Sequence, residues 1–296
     1  MNSTPWEFML ALALFSAWWL KDLGVSTAAL PVHTSAISTL VKPEEPQADP
    51  NRLAGRIAPP AGFERAPLPA HSFQAYLRNL PLKPVGTAVH YYDGQIKPRN
   101  VHVAVVDLDV GTRDLQQCAD AVIRLQAEYL FEQKAFDQIR FPFTNGFNAT
   151  YSKWREGYRI RVSGNEVTWV KKTGVDGSYR TFRKYLDMVF AYAGTISLDR
   201  TAYQITPDQL RIGDLFVESG SPGHAVLVVD VVEHLQTGAK QFLLAQSYMP
   251  AQDIHILQNP TSGEPWYSIE EINPLQTPEW TFNQTDLQRI DLSCCP

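Results

Sequence analysis

A histidine stands where an apolar strand begins in the second half of the chain. The segment reads Pro222-Gly223-His224-Ala225-Val226, and apolar residues continue to Val229. An imidazole has an unperturbed pKa of about 6.5, so one held at a strand end by rigid neighbours can transfer a proton near neutral pH. The pattern predicts a general acid–base role for His224. The alternative is a histidine that only hydrogen-bonds a neighbouring turn.

The candidate nucleophile is the cysteine in the first half of the chain. A thiol becomes nucleophilic when a helix N-terminus and a nearby histidine lower its pKa. Cys118 shares an apolar face with Leu115 and Val122, which predicts a helix that begins near residues 112–113 and places Cys118 in its second turn. A start at residues 116–117 would favour the nucleophile, whereas burial on the apolar face would make Cys118 a core residue.

A third polar group is expected on the strand that follows the histidine. Gln246 and Ser247 stand at the end of the apolar segment 241–247. Because side chains alternate between the two faces of a strand, only one of this pair can face His224. We favour Gln246 as the residue that orients His224, and we expect Ser247 and Tyr248 to contact substrate.

Aromatic and basic side chains cluster in the β-like middle of the chain, at Tyr151, Trp154, Arg155 and Tyr158. Aromatic faces beside a guanidinium suit a sugar or a peptide carboxylate. We therefore expect Trp154 and Arg155 to bind substrate. The alternative is that these residues are half-buried members of a strand.

Two carboxylates, Asp107 and Asp109, follow the predicted strand 101–106 and share a face. Such a pair can bind a metal or serve in acid–base chemistry. More commonly it ends a strand and caps the next helix. His90 and His102 add no ligand spacing and no cysteine belongs to a CxxC pair, so we predict neither a metal site nor a cofactor.

The composition is that of a globular protein of 296 residues, with 44% hydrophobic residues and a formal net charge of −5. Basic residues do not cluster, which argues against a nucleic-acid partner. Cys294 and Cys295 are neighbours in sequence, and a bond between neighbouring cysteines is strained. We expect this pair to be free or bonded to another molecule. The oligomeric state cannot be read from these features.

The N-terminal part of the chain predicts export. Residues 8–20 form an apolar run that is shorter than the roughly 20 residues of a membrane span. Small residues follow at 26–29, as at a signal-peptide cleavage site. We interpret residues 1–30 as a signal peptide or N-terminal anchor and residues 31–60 as a Pro-rich linker. Membrane contact is expected only through the N-terminal segment.

The remainder, residues 61–292, is predicted to be a single α+β domain. Apolar spacing predicts helices at 72–80 and 178–193. Strands are expected at 101–106, 158–162 and 166–170, then at 214–217, 224–232, 241–247 and 253–257. Early helices and a late antiparallel meander predict helices that pack on an antiparallel sheet.

Several long motifs resemble an exported bacterial domain-of-unknown-function family (number four-eight-four-six), over residues 60–290. These motifs are Arg78-Asn79-Leu80-Pro81-Leu82, Tyr92-Asp93-Gly94, Asp114-Leu115-Gln116-Gln117-Cys118-Ala119-Asp120-Ala121, Thr144-Asn145-Gly146-Phe147, Ser221-Pro222-Gly223-His224-Ala225-Val226 and Ala245-Gln246-Ser247-Tyr248-Met249-Pro250-Ala251-Gln252. The resemblance implies a bacterial protein of the periplasm or envelope. It implies no activity.

A second, distant resemblance covers residues 110–258. The order of four features resembles that in NlpC/P60 papain-like cysteine peptidases. These features are a helical cysteine, Gly213-Asp214 before a strand, His224 on the next strand and a polar residue after it. It implies a papain-like core in which Cys118 attacks a carbonyl, His224 moves the proton and Gln246 orients His224. The implied activity is a thiol hydrolase or amidase of peptidoglycan peptide or a related amide.

A different class of function fits the same residues. A non-catalytic module that retains the fold would bind cell-wall peptide or another envelope ligand. Trp154, Arg155 and Tyr248 would then line its groove, and Cys118 would belong to the core.

Overall fold

A computed structural model describes residues 49–290 of the chain. The helices are α1 (Leu53–Arg56), α2 (Phe73–Arg78), α3 (Cys118–Glu132), α4 (Tyr151–Arg155), α5 (Tyr179–Phe190) and α6 (Thr195–Asp199). Short 3-10 turns lie at Phe136–Gln138, Pro207–Gln209, Ile269–Glu271 and Gln284–Asp286.

The strands of this part of the chain are short except for two long central ones. They are β1 (Phe63–Glu64), β2 (His102–Val105), β3 (Arg140–Pro142), β4 (Asn148–Thr150), β5 (Tyr158–Ser163), β6 (Glu166–Lys171), β7 (Ala202–Gln204), β8 (Asp214–Glu218), β9 (His224–His234), β10 (Lys240–Gln246), β11 (His255–Leu257), β12 (Tyr267–Ser268), β13 (Leu275–Gln276), β14 (Thr281–Phe282) and β15 (Leu287–Ile290).

The central sheet has the strand order β2-β11-β10-β9-β8-β15-β7, with β1 beside β9 and β12 beside β10. Its pairs are antiparallel. The pairs β3-β4, β5-β6 and β13-β14 lie outside it. The α+β class is therefore confirmed, and β9 is its central strand.

The two faces of the sheet bury different clusters. On β9, Ala225 and Leu227 belong to the cluster that includes the apolar face of α3, whereas Val226 and Val228 belong to a second cluster with Phe282. Burying each such side chain contributes roughly 1.5–3 kcal/mol. Strand alternation then directs residue 224 toward the second cluster.

Most predicted elements are confirmed to within a few residues. The Ser72 hydroxyl caps α2 by accepting a hydrogen bond from Ala75 N at 3.1 Å. The hairpin β5-β6 turns at the predicted Gly164-Asn165. The four strands expected between residues 214 and 257 are β8, β9, β10 and β11.

Two expectations differ from the structure. The predicted β-like character of Tyr151 and Trp154 is wrong, because both lie on α4. Residues three apart share a helix face, so α4 buries both rings on the same side. Packing also begins inside the expected linker, because Leu53 of α1 is fully buried. The expected signal or anchor segment lies outside the described residues.

The described residues contain no helix that is both long and apolar enough to cross a membrane. The segment 8–20, on which the export prediction rests, lies outside residues 49–290.

A buried carboxylate fastens the N-terminal elements to the central strand. Asp230 of β9 is fully buried. Its oxygens accept hydrogen bonds from Arg65 Nε at 2.7 Å and from Arg78 Nε at 2.8 Å. Since a buried charge is tolerated only when it is paired, the two guanidiniums and Asp230 depend on one another.

Replacing this carboxylate should destabilise the whole domain. We expect Asp230→Ala to lower the free energy of unfolding by about 3–5 kcal/mol, because two guanidiniums lose their buried partner. Chemical denaturation measures the change. The exposed Asp137→Ala serves as control and should change it by less than about 0.5 kcal/mol. Equal stability of the two variants would contradict the role of Asp230.

Candidate functional site

The helix α3 begins at Cys118, which corrects the expected start near residues 112–113. The backbone N–H of Gln117 donates to the Asp120 carboxylate at 3.0 Å, and this capping interaction fixes the first turn. The apolar spacing of residues before Gln117 therefore does not mark the start of the helix. Cys118 occupies the first helical position, where the free N–H groups of a helix favour a thiolate.

The thiol packs against the backbone on both sides of His224. Cys118 Sγ lies 4.0 Å from the carbonyl oxygen of Gly223, and the N–H of Ala225 also approaches the sulfur. Burial raises the pKa of the Cys118 thiol, while the N–H groups of Ala225 and Ala119 act in the opposite direction. The side chain is 7% exposed.

Aromatic rings enclose the imidazole of His224, which is 1% exposed. The ring centroids of Tyr248, Trp280 and Phe282 lie 4.9, 5.3 and 5.8 Å from its own. The imidazole therefore has a fixed position on the face of the sheet that carries Phe282.

The residue before the histidine has no room for a side chain. A Cβ at Gly223 would lie 2.6 Å from Thr195 Oγ1 and 2.7 Å from the carbonyl oxygen of Glu218. This close packing explains the glycine before His224, and it restrains the backbone at the start of β9.

The amide of Gln246 determines which nitrogen of His224 is protonated. Gln246 Nε2 lies 2.7 Å from Glu279 Oε2 and 3.4 Å from His255 Nε2. His255 Nδ1 faces the carbonyl of Asp253 at 2.9 Å, so Nδ1 carries the proton and Nε2 accepts. Gln246 Oε1 then faces His224 Nε2 at 2.9 Å and must accept from it. His224 Nδ1 is left as the basic nitrogen.

Burial keeps both histidines neutral. It lowers the pKa of His224 to about 4, although the hydrogen bond to Gln246 and the charge of Glu279 act upward. It lowers the pKa of His255 to about 3. At neutral pH the imidazole and the thiol therefore both rest uncharged.

The structure adds Lys97 and Glu279, which the sequence analysis missed. Lys97 Nζ lies 2.6 Å from Glu279 Oε2 and 2.9 Å from Gln252 Oε1. Burial lowers the pKa of Lys97, while Glu279 opposes this shift. The two residues are 182 positions apart, so no local spacing could have indicated the pair.

Gln246 and Ser247 point in different directions, as strand alternation predicts. The Ser247 hydroxyl lies 2.9 Å from the carbonyl oxygen of Gln116 and 2.8 Å from that of Gln252. It therefore joins the segment before α3 to the end of β10. Tyr248 packs on His224, and its ring also lies 5.4 Å from Lys97 Nζ.

Trp154 and Arg155 lie in a separate packing group. Trp154 Nε1 donates to the carbonyl of Thr181 at 3.1 Å, and the ring belongs to the core. The Arg155 guanidinium lies 4.2 Å from the ring centroid of Phe136. Neither residue lines the cleft beside Cys118. Their substrate-binding role stays a prediction. The structure does not place either residue in the cleft beside Cys118.

Asp109, one of the two carboxylates after β2, takes part in ion pairs. Asp109 lies 3.4 Å from both Arg124 Nη2 and Arg183 Nη2. Partial burial raises the pKa of Asp109, but Arg183 and Arg124 outweigh it and the net shift is downward. Among residues 49–290, no group of three or more His, Cys, Asp or Glu side chains is placed to hold a metal ion.

A cleft of about 340 Å³ opens beside the thiol. Its walls come from the segment before α3, the first turn of α3, the end of α5, the start of α6 and the β8-β9 turn. The lining residues include Cys118, Asp120, Thr195, Gly223 and Met249. A ligand in this space would therefore lie against the N-terminus of α3.

Mild acid should destabilise the fold through the two buried histidines. The unfolded pKa is about 6.5, whereas His224 and His255 have folded values of about 4 and about 3. The unfolded state therefore binds more protons below pH 6.5. This stabilisation is complete above about pH 6.5 and is lost toward pH 4, by up to about 1.4 kcal/mol per pH unit for each histidine.

Denaturation at several pH values between 7 and 5 measures this slope. His255→Gln should reduce it, because one titrating group is removed. The exposed Gln236→Asn removes no titrating group and is the control that should leave the slope unchanged. An unchanged slope in His255→Gln would contradict the assignment.

Glu279→Gln should release the orientation of Gln246, because a glutamine at position 279 can donate as well as accept. The ring of His224 should then exchange between tautomers, whereas the wild-type ring carries its proton on Nε2. The ¹⁵N chemical shifts of the ring nitrogens measure the two forms. Glu264→Gln, at an exposed position, is the matched control. A wild-type ring protonated on Nδ1 would overturn the network.

Comparison with known proteins gives one family. The family described as domain of unknown function (4846) matches residues 53–289. No curated protein and no solved structure matches the chain. Because the family match spans more than half of the chain, the protein belongs to the domain of unknown function (4846) family.

Proposed function

We propose that this protein is a cell-envelope thiol hydrolase or amidase with a papain-like core, similar to that of NlpC/P60 peptidases. Its substrate is peptidoglycan peptide or a related amide. The observation that carries the proposal is that Cys118 opens α3 and its sulfur packs against the backbone that flanks His224. Gln246 fixes the imidazole, which does not line the cleft and has to turn toward the sulfur for the reaction.

The first half of the proposed reaction forms a thioester. His224 Nδ1 takes the proton of the Cys118 thiol while Sγ attacks the carbonyl carbon of the scissile amide. The N–H groups at the N-terminus of α3, which have no partners within the helix, stabilise the oxyanion. The protonated Nδ1 then gives its proton to the leaving nitrogen, the C–N bond breaks and an amine departs.

The second half releases the acid. Water attacks the thioester carbonyl while His224 Nδ1 accepts one of its protons. The C–S bond breaks, and the proton returns to the sulfur of Cys118. Throughout both halves the Nε2–H of His224 continues to donate to Gln246.

The charges near the imidazole oppose one another, because Glu279 raises the pKa of His224 whereas Lys97 lowers it. A buried imidazolium is costly, yet the reaction requires one transiently. Glu279, which contacts Gln246, raises the pKa of His224 and so acts against burial. Because thiol and imidazole rest neutral, proton transfer is expected to accompany attack on the substrate.

A cell-envelope substrate follows from the resemblance between this chain and an exported bacterial family. Export is therefore part of the proposal, and the N-terminal segment is its expected signal or anchor. The composition gives no support for a nucleic-acid partner.

A non-catalytic envelope binding module is the second candidate. The observation that favours it is the burial of Cys118, which raises the thiol pKa. On this alternative the cysteine is a core residue, and the cleft beside α3 binds peptide without cleaving it.

The reactivity of Cys118 separates these two functions. In a Cys294→Ser, Cys295→Ser background, iodoacetamide should alkylate native Cys118, and His224→Phe should slow this reaction at least about tenfold because the base is lost. Mass spectrometry of the intact protein follows the modification. The same protein should release amine-containing fragments from isolated peptidoglycan peptides, and Cys118→Ser should abolish that release.

Gln236→Glu, a substitution at an exposed position outside the cleft, is the control for nonspecific loss of activity. Alkylation only after denaturation, with no fragment released by folded protein, would establish the binding module instead.

A further inference from the structure

A second cleft, of about 260 Å³, is lined by the first turn of α2, the second half of α3 and the 3-10 turn after it. Phe73 and Tyr129 supply its aromatic side chains, and their ring centroids lie 5.2 Å apart. Three glutamines, Gln74, Gln126 and Gln138, also line it. Among the described residues of the lining, none is charged. This space, which we call the α2–α3 cleft, therefore combines aromatic surface with neutral amides.

The α2–α3 cleft is separate from the cleft beside Cys118, because the two have no lining residue in common. Gln126 lies about two turns of α3 beyond Cys118, which is roughly 12 Å along the helix axis. A ligand in the α2–α3 cleft therefore has no need of the thiol, and any function of this cleft can be examined apart from the chemistry at Cys118.

The side-chain amide of Gln126 is buried without a partner in the protein. The residue is 6% exposed, and within residues 49–290 neither Oε1 nor Nε2 takes part in a hydrogen bond. Both atoms nevertheless keep solvent-accessible surface, unlike the sealed polar atoms of the core. Because buried polar groups are nearly always hydrogen-bonded, the partner of this amide has to come from the α2–α3 cleft, which Gln126 lines.

Two more amides are available on the same lining. The side chains of Gln74 and Gln138 make no hydrogen bond to another described residue. Each glutamine amide both donates and accepts. Three such amides around one space match a ligand that has hydroxyl and amide groups on several sides. An extended peptide offers its backbone groups only along its two edges, so it matches this arrangement less well.

The aromatic side chains and the lack of charge narrow the ligand class further. The Tyr129 hydroxyl donates to the carbonyl oxygen of His71 at 2.9 Å, which holds the ring in place. One face of a sugar ring consists of C–H groups, and these pack on aromatic surface. A charged group would lose its hydration in this cleft without gaining an ionic partner. The volume lies below the roughly 300–1,000 Å³ of sites for drug-sized ligands, so about one sugar ring fits.

We propose that the α2–α3 cleft binds a neutral N-acetylated sugar residue of a glycan. The acetamido group pairs with Gln126, whose Oε1 accepts from the N–H of the ligand and whose Nε2 donates to its carbonyl oxygen. The ring packs against Tyr129, and its hydroxyl groups bond Gln74 and Gln138. This inference goes beyond the proposed function, because it concerns a different cleft and requires no reaction at Cys118.

The probe is N,N′-diacetylchitobiose, a neutral disaccharide with two acetamido groups. Its counterpart is chitobiose, which has the same rings and carries amino groups in place of the acetamido groups. Each is titrated into the full chain while the backbone amide resonances of Phe73, Gln126 and Tyr129 are followed by NMR. Diacetylchitobiose should shift them saturably and bind at least about tenfold more tightly, since chitobiose would bury a charge. Equal responses, or no response to either sugar, would overturn the proposal.

Two further compounds separate the sugar from its acetamido group. Cellobiose has the rings without the acetamido group, and N-acetyl-L-alaninamide has secondary amides without a sugar ring. Both should bind at least about tenfold more weakly than diacetylchitobiose, because each lacks part of the contact surface. Cellobiose that binds equally well would overturn the role of the acetamido group. Equal binding of N-acetyl-L-alaninamide would show a peptide site instead of a sugar site.

Gln126→Leu nearly keeps the size of the side chain and removes the amide. It should weaken diacetylchitobiose binding at least about tenfold, because two hydrogen bonds are lost. It should not lower the free energy of unfolding, because the amide has no partner within the protein to lose. Gln236→Leu, at an exposed position outside the cleft, is the matched control and should leave binding unchanged. Unchanged binding in Gln126→Leu would overturn the assignment to Gln126.

Gln74→Ala tests the cleft without a change in the core, because Gln74 is only partly buried. It should weaken diacetylchitobiose binding at least about threefold, as expected for one lost hydrogen bond. If neither Gln74→Ala nor Gln126→Leu weakens binding, the sugar binds elsewhere and the proposal fails. Sugar binding by a protein whose Cys118 neither reacts nor cleaves peptide would uphold this cleft independently of the proposed function.

Discussion

The orientation of a single amide, that of Gln246, organises the candidate site. A carboxylate can only accept hydrogen bonds, so Glu279 holds the nitrogen of Gln246 and turns its oxygen toward His224. The protonation state of each nitrogen of His224 follows from this orientation of the amide. It fixes the protonated nitrogen of the imidazole and leaves the other nitrogen basic. Lys97 is part of the same constraint, because it balances the charge of Glu279 in a buried position.

The features of the site that sequence could predict are local ones. Strand alternation separated Gln246 from Ser247 correctly, and the apolar runs located β8, β9 and β10. The start of α3 was not predictable from apolar spacing, since Leu115 continues the pattern of Cys118 and Val122 although it precedes the helix. What ends the pattern is a polar cap between Gln117 and Asp120. Lys97 and Glu279 lie far apart in the chain and meet only through folding.

Neutrality of the resting thiol and imidazole has two interpretations. For an enzyme, it means that charge separation waits until substrate fills the cleft and excludes water, so the buried site remains stable between turnovers. For a binding module, it means that the fold has simply buried two ordinary side chains. The hydrogen bond from His224 to Gln246 serves either interpretation, because a buried imidazole needs a partner whether or not it takes part in a reaction.

The arginine that holds Asp230 also determines where the folded unit begins. Arg65 Nη1 and Nη2 donate to the carbonyl oxygens of Ala54 and Ile57 at 3.2 and 2.6 Å. A shortened chain that starts at residue 61 would lack both acceptors and the buried Leu53. Arg65 of this shortened chain would still contact Asp230 of β9 but would lack two of its hydrogen-bond acceptors. The packed structure therefore includes α1, and recombinant boundaries chosen from the Pro-rich composition alone would cut into it.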